Sequence, residues 1–194
     1  MDFRRRQQRP RGYNDPGHAH ELTFSCFRRF RFLSRDTACE WLAEAIETAR
    51  HELQYDLWAY VFMPDHVHLI VCPRQRLYDT SKFLQQVKEP VSRKAISYLK
   101  AHAPEWLPRI RVTRGDKVVH RFWQAGRGHD RNIENGRTLP QMIEYAHLNP
   151  VRAGFVERAI DWKWSSAAWF EGSASNSLIP DRIPADWLET DGHV

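Results

Sequence analysis

Long apolar runs are missing from this chain: nowhere does it approach the roughly 18 uninterrupted apolar residues that a bilayer crossing needs. The first residues, Met1 to Arg11, are polar and Arg-rich and lack the apolar segment of a secretory signal. Together these absences predict a cytoplasmic protein without a membrane partner. Cysteine is scarce as well. The three present, Cys26, Cys39 and Cys72, are scattered and odd in number, which excludes a disulfide framework and a paired-cysteine zinc knuckle. Neither a Gly-rich GxxxxGK phosphate loop nor a GxSxG elbow occurs, so nucleotide-driven work and serine hydrolysis are excluded and no nucleotide cofactor is expected.

What is present fits one catalytic domain with attached tails. The 194 residues are 42% hydrophobic and include 8 Trp, enough for a real core, while 27% charged residues favour solubility. The net charge is +5, and the Arg excess gathers in Arg4-Arg5-Arg6, Arg28-Arg29 and the stretch from Arg109 to Arg131. A guanidinium fork bonds two phosphate oxygens at once, so an anionic polymer is the expected partner.

Residues 1–17 mix Arg, Gln, Pro, Gly and Asn and read as a flexible basic arm, residues 18–166 as the folded domain, and residues 167–194 as a tail that packs on it or is partly flexible. From Glu21 to Phe32, Leu22, Phe24 and Cys26 alternate with polar residues at period two, predicting a first strand. Asp36 to Leu53 carries Ala38, Trp41, Leu42, Ala45, Ile46 and Ala49 at helical spacing, with Ser34 or Asp36 as a cap. Tyr55 to Met63 and His66 to Cys72 predict a strand hairpin broken at Met63-Pro64-Asp65. A helix with a kink at Pro90 is expected over Thr80 to His102. Arg109 to Val119 alternates around a Gly115-Asp116 turn, and a Gly- and Arg-rich loop follows. Thr138 and Gln141 form a capping-box pattern, with a helix starting near Leu139. This order predicts an α+β fold: a ferredoxin-like sandwich, an antiparallel sheet with helices packed on one face.

Within that frame, His66 and His68 stand one residue apart on a strand, so both imidazoles leave the same face and can meet one cation. Two surface histidines would show the same spacing, and Cys72 on the same face leaves a zinc site open. Tyr145 precedes Asn149 by four residues on the predicted helix, which puts a phenol and an amide oxygen on one helix face. Pro150 disfavours helix geometry at Asn149, placing it near a helix end. A core tyrosine and a helix-stop asparagine are the plainer alternatives.

Four segments occur in order: Met63 to Val71 (MPDHVHLIV), Phe122-Trp123-Gln124, Ile143 to Gly154 (IEYAHLNPVRAG) and Asp161 to Ser166 (DWKWSS). In sequence and spacing they resemble the REP-associated tyrosine transposases, the single-copy bacterial branch of the HUH single-tyrosine, IS200-like transposase superfamily. The resemblance covers about Leu22 to Ser166. It implies a ferredoxin-like domain that binds single-stranded DNA hairpins of the REP or BIME kind and cuts and rejoins them with Mg or Mn. By position, His66 and His68 match the metal-binding histidines, Tyr145 the nucleophile and Asn149 the third, polar ligand. Asp65 departs from the Asn more common before the first histidine.

The implied activity is a sequence-specific endonuclease and strand transferase working by transesterification through a 5′-phosphotyrosine at Tyr145, as a monomer or homodimer associated with the bacterial nucleoid. Arg109, Arg111, Arg114, Lys117, Arg121, Arg127 and Arg131 are the candidate phosphate contacts; Trp123, Trp162 and Trp164 are available for base stacking, with core packing, the commoner fate of aromatics in so small a domain, as the alternative. The competing readings are a non-catalytic hairpin-binding protein on the same scaffold and a metal-dependent hydrolase.

Overall fold

The computed structural model describes residues 13–173 and 178–188. Residues 1–12 of the expected arm, and 174–177 and 189–194 of the expected tail, lie outside the described residues. The domain begins with β1 (Ala19–Ser25), α1 (Asp36–Leu53), β2 (Tyr55–Phe62), β3 (His66–Pro73) and α2 (Thr80–His102). A short helix α3 (Leu107–Ile110) leads into the hairpin β4 (Arg111–Arg114) and β5 (Lys117–His120), then β6 (His129–Ile133). The helices α4 (Leu139–His147), α5 (Asn149–Arg152) and α6 (Ala167–Phe170) complete the order.

Four strands form one sheet in the order β2-β3-β1-β6, with every neighbouring pair antiparallel. With α1 and α2 as the two crossovers this is the ferredoxin-like α+β arrangement that the sequence predicts. The alternation at Leu22, Phe24 and Cys26 buries them beside Val67, Leu69 and Val71 of β3 and the apolar stripes of α1 and α2, including Leu42, Ile46, Phe83 and Val87. Replacing one of these fully buried leucines by Ala costs about 2–5 kcal/mol, because the close-packed surroundings refill the space only in part. On the opposite sheet face Trp58, Ala59 and Ile70 meet Leu139, Met142 and Ile143 of α4, with Trp187 packed against them. The long helices therefore share one face, and the helix carrying Tyr145 occupies the other.

Several local expectations give way to tertiary contacts. The first strand ends at Ser25 rather than continuing to Phe32, because Arg28 and Arg29 adopt φ of 52° and 59° and turn the chain. The segment after Trp123 is not all loop: His129–Ile133 pairs with β1 and closes the sheet edge. Its Asp130 is buried, which an apolar pattern cannot signal, and is satisfied by His20 Nδ1 at 2.8 Å and the Thr80 hydroxyl at 2.9 Å. The β4–β5 hairpin forms a separate two-stranded sheet. Thr138 does flank α4, but in helical geometry and without a side-chain cap, and neither Ser34 nor Asp36 caps α1. Asp36 instead accepts from Trp164 Nε1 at 2.7 Å and Lys163 Nζ at 2.6 Å, tying the start of α1 to the later Trp-Lys-Trp segment.

Candidate active site

His66 and His68 alternate along β3 with Val67, Leu69 and Val71, which point into the core of α1 and α2. By strand parity both imidazoles therefore leave the opposite face, the one that carries Ile70 and receives α4. The rings stand 4.9 Å apart, centroid to centroid, nearly perpendicular at 73°. Each ring has its Nδ1 occupied: that of His66 lies 2.7 Å from an Asp65 carboxylate oxygen, and that of His68 lies 3.1 Å from the Thr23 hydroxyl. A carboxylate accepting from Nδ1–H fixes the ring orientation and leaves Nε2 as the donor atom toward a cation, the arrangement common behind metal-bound histidines. The other oxygen of Asp65 accepts from Arg29 Nη1 at 3.2 Å.

His68 is only 8% exposed, and its Nε2 is buried without a hydrogen-bond partner among the described residues. A buried polar atom left unpaired costs about 1–3 kcal/mol, which a bound cation would recover. Burial, aided by nearby His66, Arg29 and His129, pushes the His68 imidazole down to about 4, so it is neutral and ligand-ready at physiological pH. No group of three His, Cys, Asp or Glu that could hold a metal exists among the described residues. Cys72 therefore does not complete a zinc site, and a third protein ligand has to be a neutral oxygen. These residues fit a hard divalent ion bound by two imidazoles with an amide or water oxygen.

Helix α4 supplies the second half of the candidate site. It packs on β2, and its Ala146 touches Val61 and Met63; Val61 is the register partner of His68, and Met63 N donates to His66 O at 2.8 Å. Tyr145 itself is 54% exposed, with the Arg152 guanidinium 4.3 Å from its ring centroid. Both Asn149 Nδ2, at 3.1 Å, and Arg152 Nη1, at 2.9 Å, donate to the Tyr145 carbonyl. With Nδ2 so engaged, Asn149 Oδ1 is the atom of that side chain left to face a cation. The structure brings Tyr145, Asn149 and Arg152 together, and His66 with His68. Among the described residues no hydrogen bond links either group to the other.

What fixes α4 is a contact that composition and spacing leave invisible. Ser166 Oγ lies 2.8 Å from Nε2 of His147, the last residue of α4, and also accepts from Tyr60 N at 2.9 Å. Ser166 N donates back to Tyr60 O, while Trp162 Nε1 donates to Phe62 O. The Trp-Lys-Trp-Ser-Ser segment thus acts as a clasp between the free edge of β2 and the end of α4. Thr23 and Arg29 carry no sequence signal for these roles; His147 and Trp164 to Ser166 stand out only as parts of motifs.

The basic residues divide. Arg111, Arg114 and Lys117 are exposed on the β4–β5 hairpin, Arg131 is exposed on β6, and Arg121 is half-buried. Arg109 lies 4.5 Å over the Trp106 ring, and Arg127 forms a 3.7 Å ion pair with Asp79. Trp123 is a correction to the stacking assignment: it is 5% exposed, packed edge-on against Phe24 and Phe122, with Nε1 donating to Lys88 O. Core burial leaves it no face for a base. Trp164 is buried as well, stacked on Phe62.

Residues 17–108, which span both histidines, match the family described as "Transposase IS200 like". Individual relatives match more of the chain. A REP-associated tyrosine transposase of Escherichia coli is 24% identical over 160 residues, covering 82% of this chain and 78% of that protein. A Haemophilus influenzae protein assigned to the same group is 27% identical over 147 residues, covering 73% of this chain and 70% of its own length. A solved REP-associated tyrosine transposase bound to a REP hairpin superposes with a TM-score of 0.66 at 20% identity, covering 92% of this chain and 99% of that one. The chain thus has the IS200-like fold and resembles the REP-associated tyrosine transposases.

Proposed function

We propose that this chain cleaves and rejoins single-stranded hairpin DNA by transesterification, with Tyr145 as nucleophile, in the bacterial cytoplasm at the nucleoid. One observation carries the reading: among the described residues His68 Nε2 is buried without a hydrogen-bond partner, on the sheet face against which α4, the helix that carries Tyr145, packs. The hairpin bound by the solved relative supports the choice of substrate.

His66 and His68, with Asn149 Oδ1, would hold a divalent Mg or Mn ion, which when bound polarises a phosphate as a Lewis acid. Asp65 and Thr23 orient the two imidazoles. The Tyr145 Oη–phosphorus bond forms as the bond to the 3′ oxygen breaks, the phenol proton is lost and the departing oxygen takes one up as a 3′-hydroxyl. One phosphodiester replaces another, so resealing by the 3′-hydroxyl needs no nucleotide, in keeping with the missing phosphate loop. Arg152, held against the tyrosine by its ring contact and its bond to the Tyr145 carbonyl, brings positive charge to where the scissile phosphate must arrive.

Tyr145→Phe should abolish a covalent protein–DNA adduct on a denaturing gel with end-labelled hairpin DNA while hairpin binding persists. An adduct that survives the substitution removes Tyr145 from the reaction. Cut DNA with free 5′-phosphate and no adduct would indicate a hydrolase, and bound but uncut DNA a binding protein.

A further inference from the structure

A groove of about 700 Å³ runs between α1, the C-terminal end of α2, the turn Pro104–Trp106 and the loop that follows β1. Its lining includes the rings of Phe32, Trp41, Tyr98 and Trp106. Phe32 stacks on the buried Phe122 at 4.9 Å and 23°, while Phe30 and Phe32 meet Trp106 edge-on at 5.5 and 5.8 Å. Unlike Trp123, this cluster is open to solvent: Tyr98 is 50% exposed and Trp106 is half-buried. Arg31 and Arg35 line the same groove, both exposed and without ion-pair partners among the described residues. Arg109 adds its guanidinium over Trp106. Glu105 is the one acid in the lining.

Flat rings interleaved with guanidiniums that have no ion-pair partner among the described residues, Arg31 lying over the Phe155 ring and Arg109 over Trp106, suit a ligand that is both heteroaromatic and anionic. A lipid tail would leave the arginines unanswered, and a phosphate alone would leave the rings unanswered. The position also counts. Leu33 N, between Phe32 and Arg35, donates to Pro64 O at 2.9 Å, and Arg29 of the same loop bonds Asp65, so the groove wall is fastened to the turn that precedes His66. We propose that this groove holds an unpaired nucleotide of the single strand flanking the hairpin, its base against Trp106 and Phe32 and its phosphate at Arg31 and Arg35. The assignment rests on the single-stranded DNA reading above and locates a subsite for it.

The test uses the full chain carrying Tyr145→Phe, so that binding is read without chemistry. Three probes are compared by fluorescence anisotropy: oligothymidylate, a blunt hairpin, and the same hairpin with a single-stranded 5′ extension. Trp106→Ala should weaken binding to oligothymidylate and to the extended hairpin by about tenfold, within the range of one stacked base, and leave the blunt hairpin unchanged. Trp106→Phe, which keeps a ring, should retain most of the affinity. Arg31→Ala with Arg35→Ala should weaken the same two probes and flatten their salt dependence, since fewer counterions are released. Equal losses on all three probes, or unchanged binding by a Trp106→Ala protein with the parent's melting temperature, would overturn the assignment. So would self-association that Trp106→Ala abolishes with no change in DNA binding. The unsubstituted chain separates the two claims: an adduct at Tyr145 with no effect of Trp106→Ala sinks the groove alone, whereas lost extension binding without any adduct sinks the transesterification alone.

Discussion

Ser166→Ala removes one oxygen from the clasp that holds the end of α4, and its cost can be worked from the contacts. Ser166 Oγ is bonded to His147 Nε2 at 2.8 Å and Tyr60 N at 2.9 Å, and all three residues are buried. Alanine leaves both of those groups unpaired, and each orphaned buried polar group costs about 1–3 kcal/mol. The substitution should therefore destabilise the domain by about 2–4 kcal/mol, or lower Tm by roughly 5–12 °C for a chain of this size. Thermal unfolding followed by circular dichroism measures the first quantity. The positional consequence needs a second assay. Tyr145 lies two residues before His147, so loosening the helix end should slow adduct formation well below the denaturation temperature, with hairpin affinity little changed. A Tm within about 2 °C of the parent would refute the clasp. A lowered Tm with an unchanged adduct rate would refute its role in positioning the nucleophile.

His66→Ala combined with His68→Ala should eliminate adduct formation in both Mg and Mn, and full activity in EDTA would defeat the metal assignment. Burial pushes His147 down to about 4, so between pH 6.5 and 4 the unfolded chain takes up a proton that the folded chain refuses. Stability should therefore fall as the solution is acidified, by about 2 kcal/mol from pH 7 to pH 5 for this group. Urea unfolding at the two pH values measures the drop, and a slope unaltered in His147→Gln would show that it arises elsewhere. At Gly128, φ is +88° and a Cβ would run into the Thr23 carbonyl across the sheet. Gly128→Ala should cost more than about 2 kcal/mol and disturb the Thr23–His68 contact, visible as lost metal-induced stabilisation in a thermal shift assay.

Much of this fold is legible in one dimension. The bounds of α1 and α2 coincide with the residues whose apolar spacing predicts them, and the break at Pro64-Asp65 separates β2 from β3 as expected. The face shared by His66 and His68 follows from strand parity alone. The Tyr145–Asn149 pairing on one helix end follows from helical spacing, and Asn149 does bond back to the Tyr145 carbonyl. These features repeat every two or nearly four residues, so neighbours in sequence carry the information.

Other features depend on side chains brought in from other elements, and no local pattern could supply them. β6 hides behind Asp130, a charged residue that is buried only because His20 and Thr80 meet it from β1 and α2. Trp123 reads as a possible stacking platform until Phe24 and Phe122 enclose it. Ser166 reads as a small polar residue until β2 and α4 converge on its hydroxyl. The sequence by itself determined the strand that carries His66 and His68 and the helix that carries Tyr145, because periodicity and residue type are local. Only the tertiary structure decided that α4 lies across the sheet from α1 and α2, on the face of those histidines, because that choice depends on which apolar surfaces bury one another.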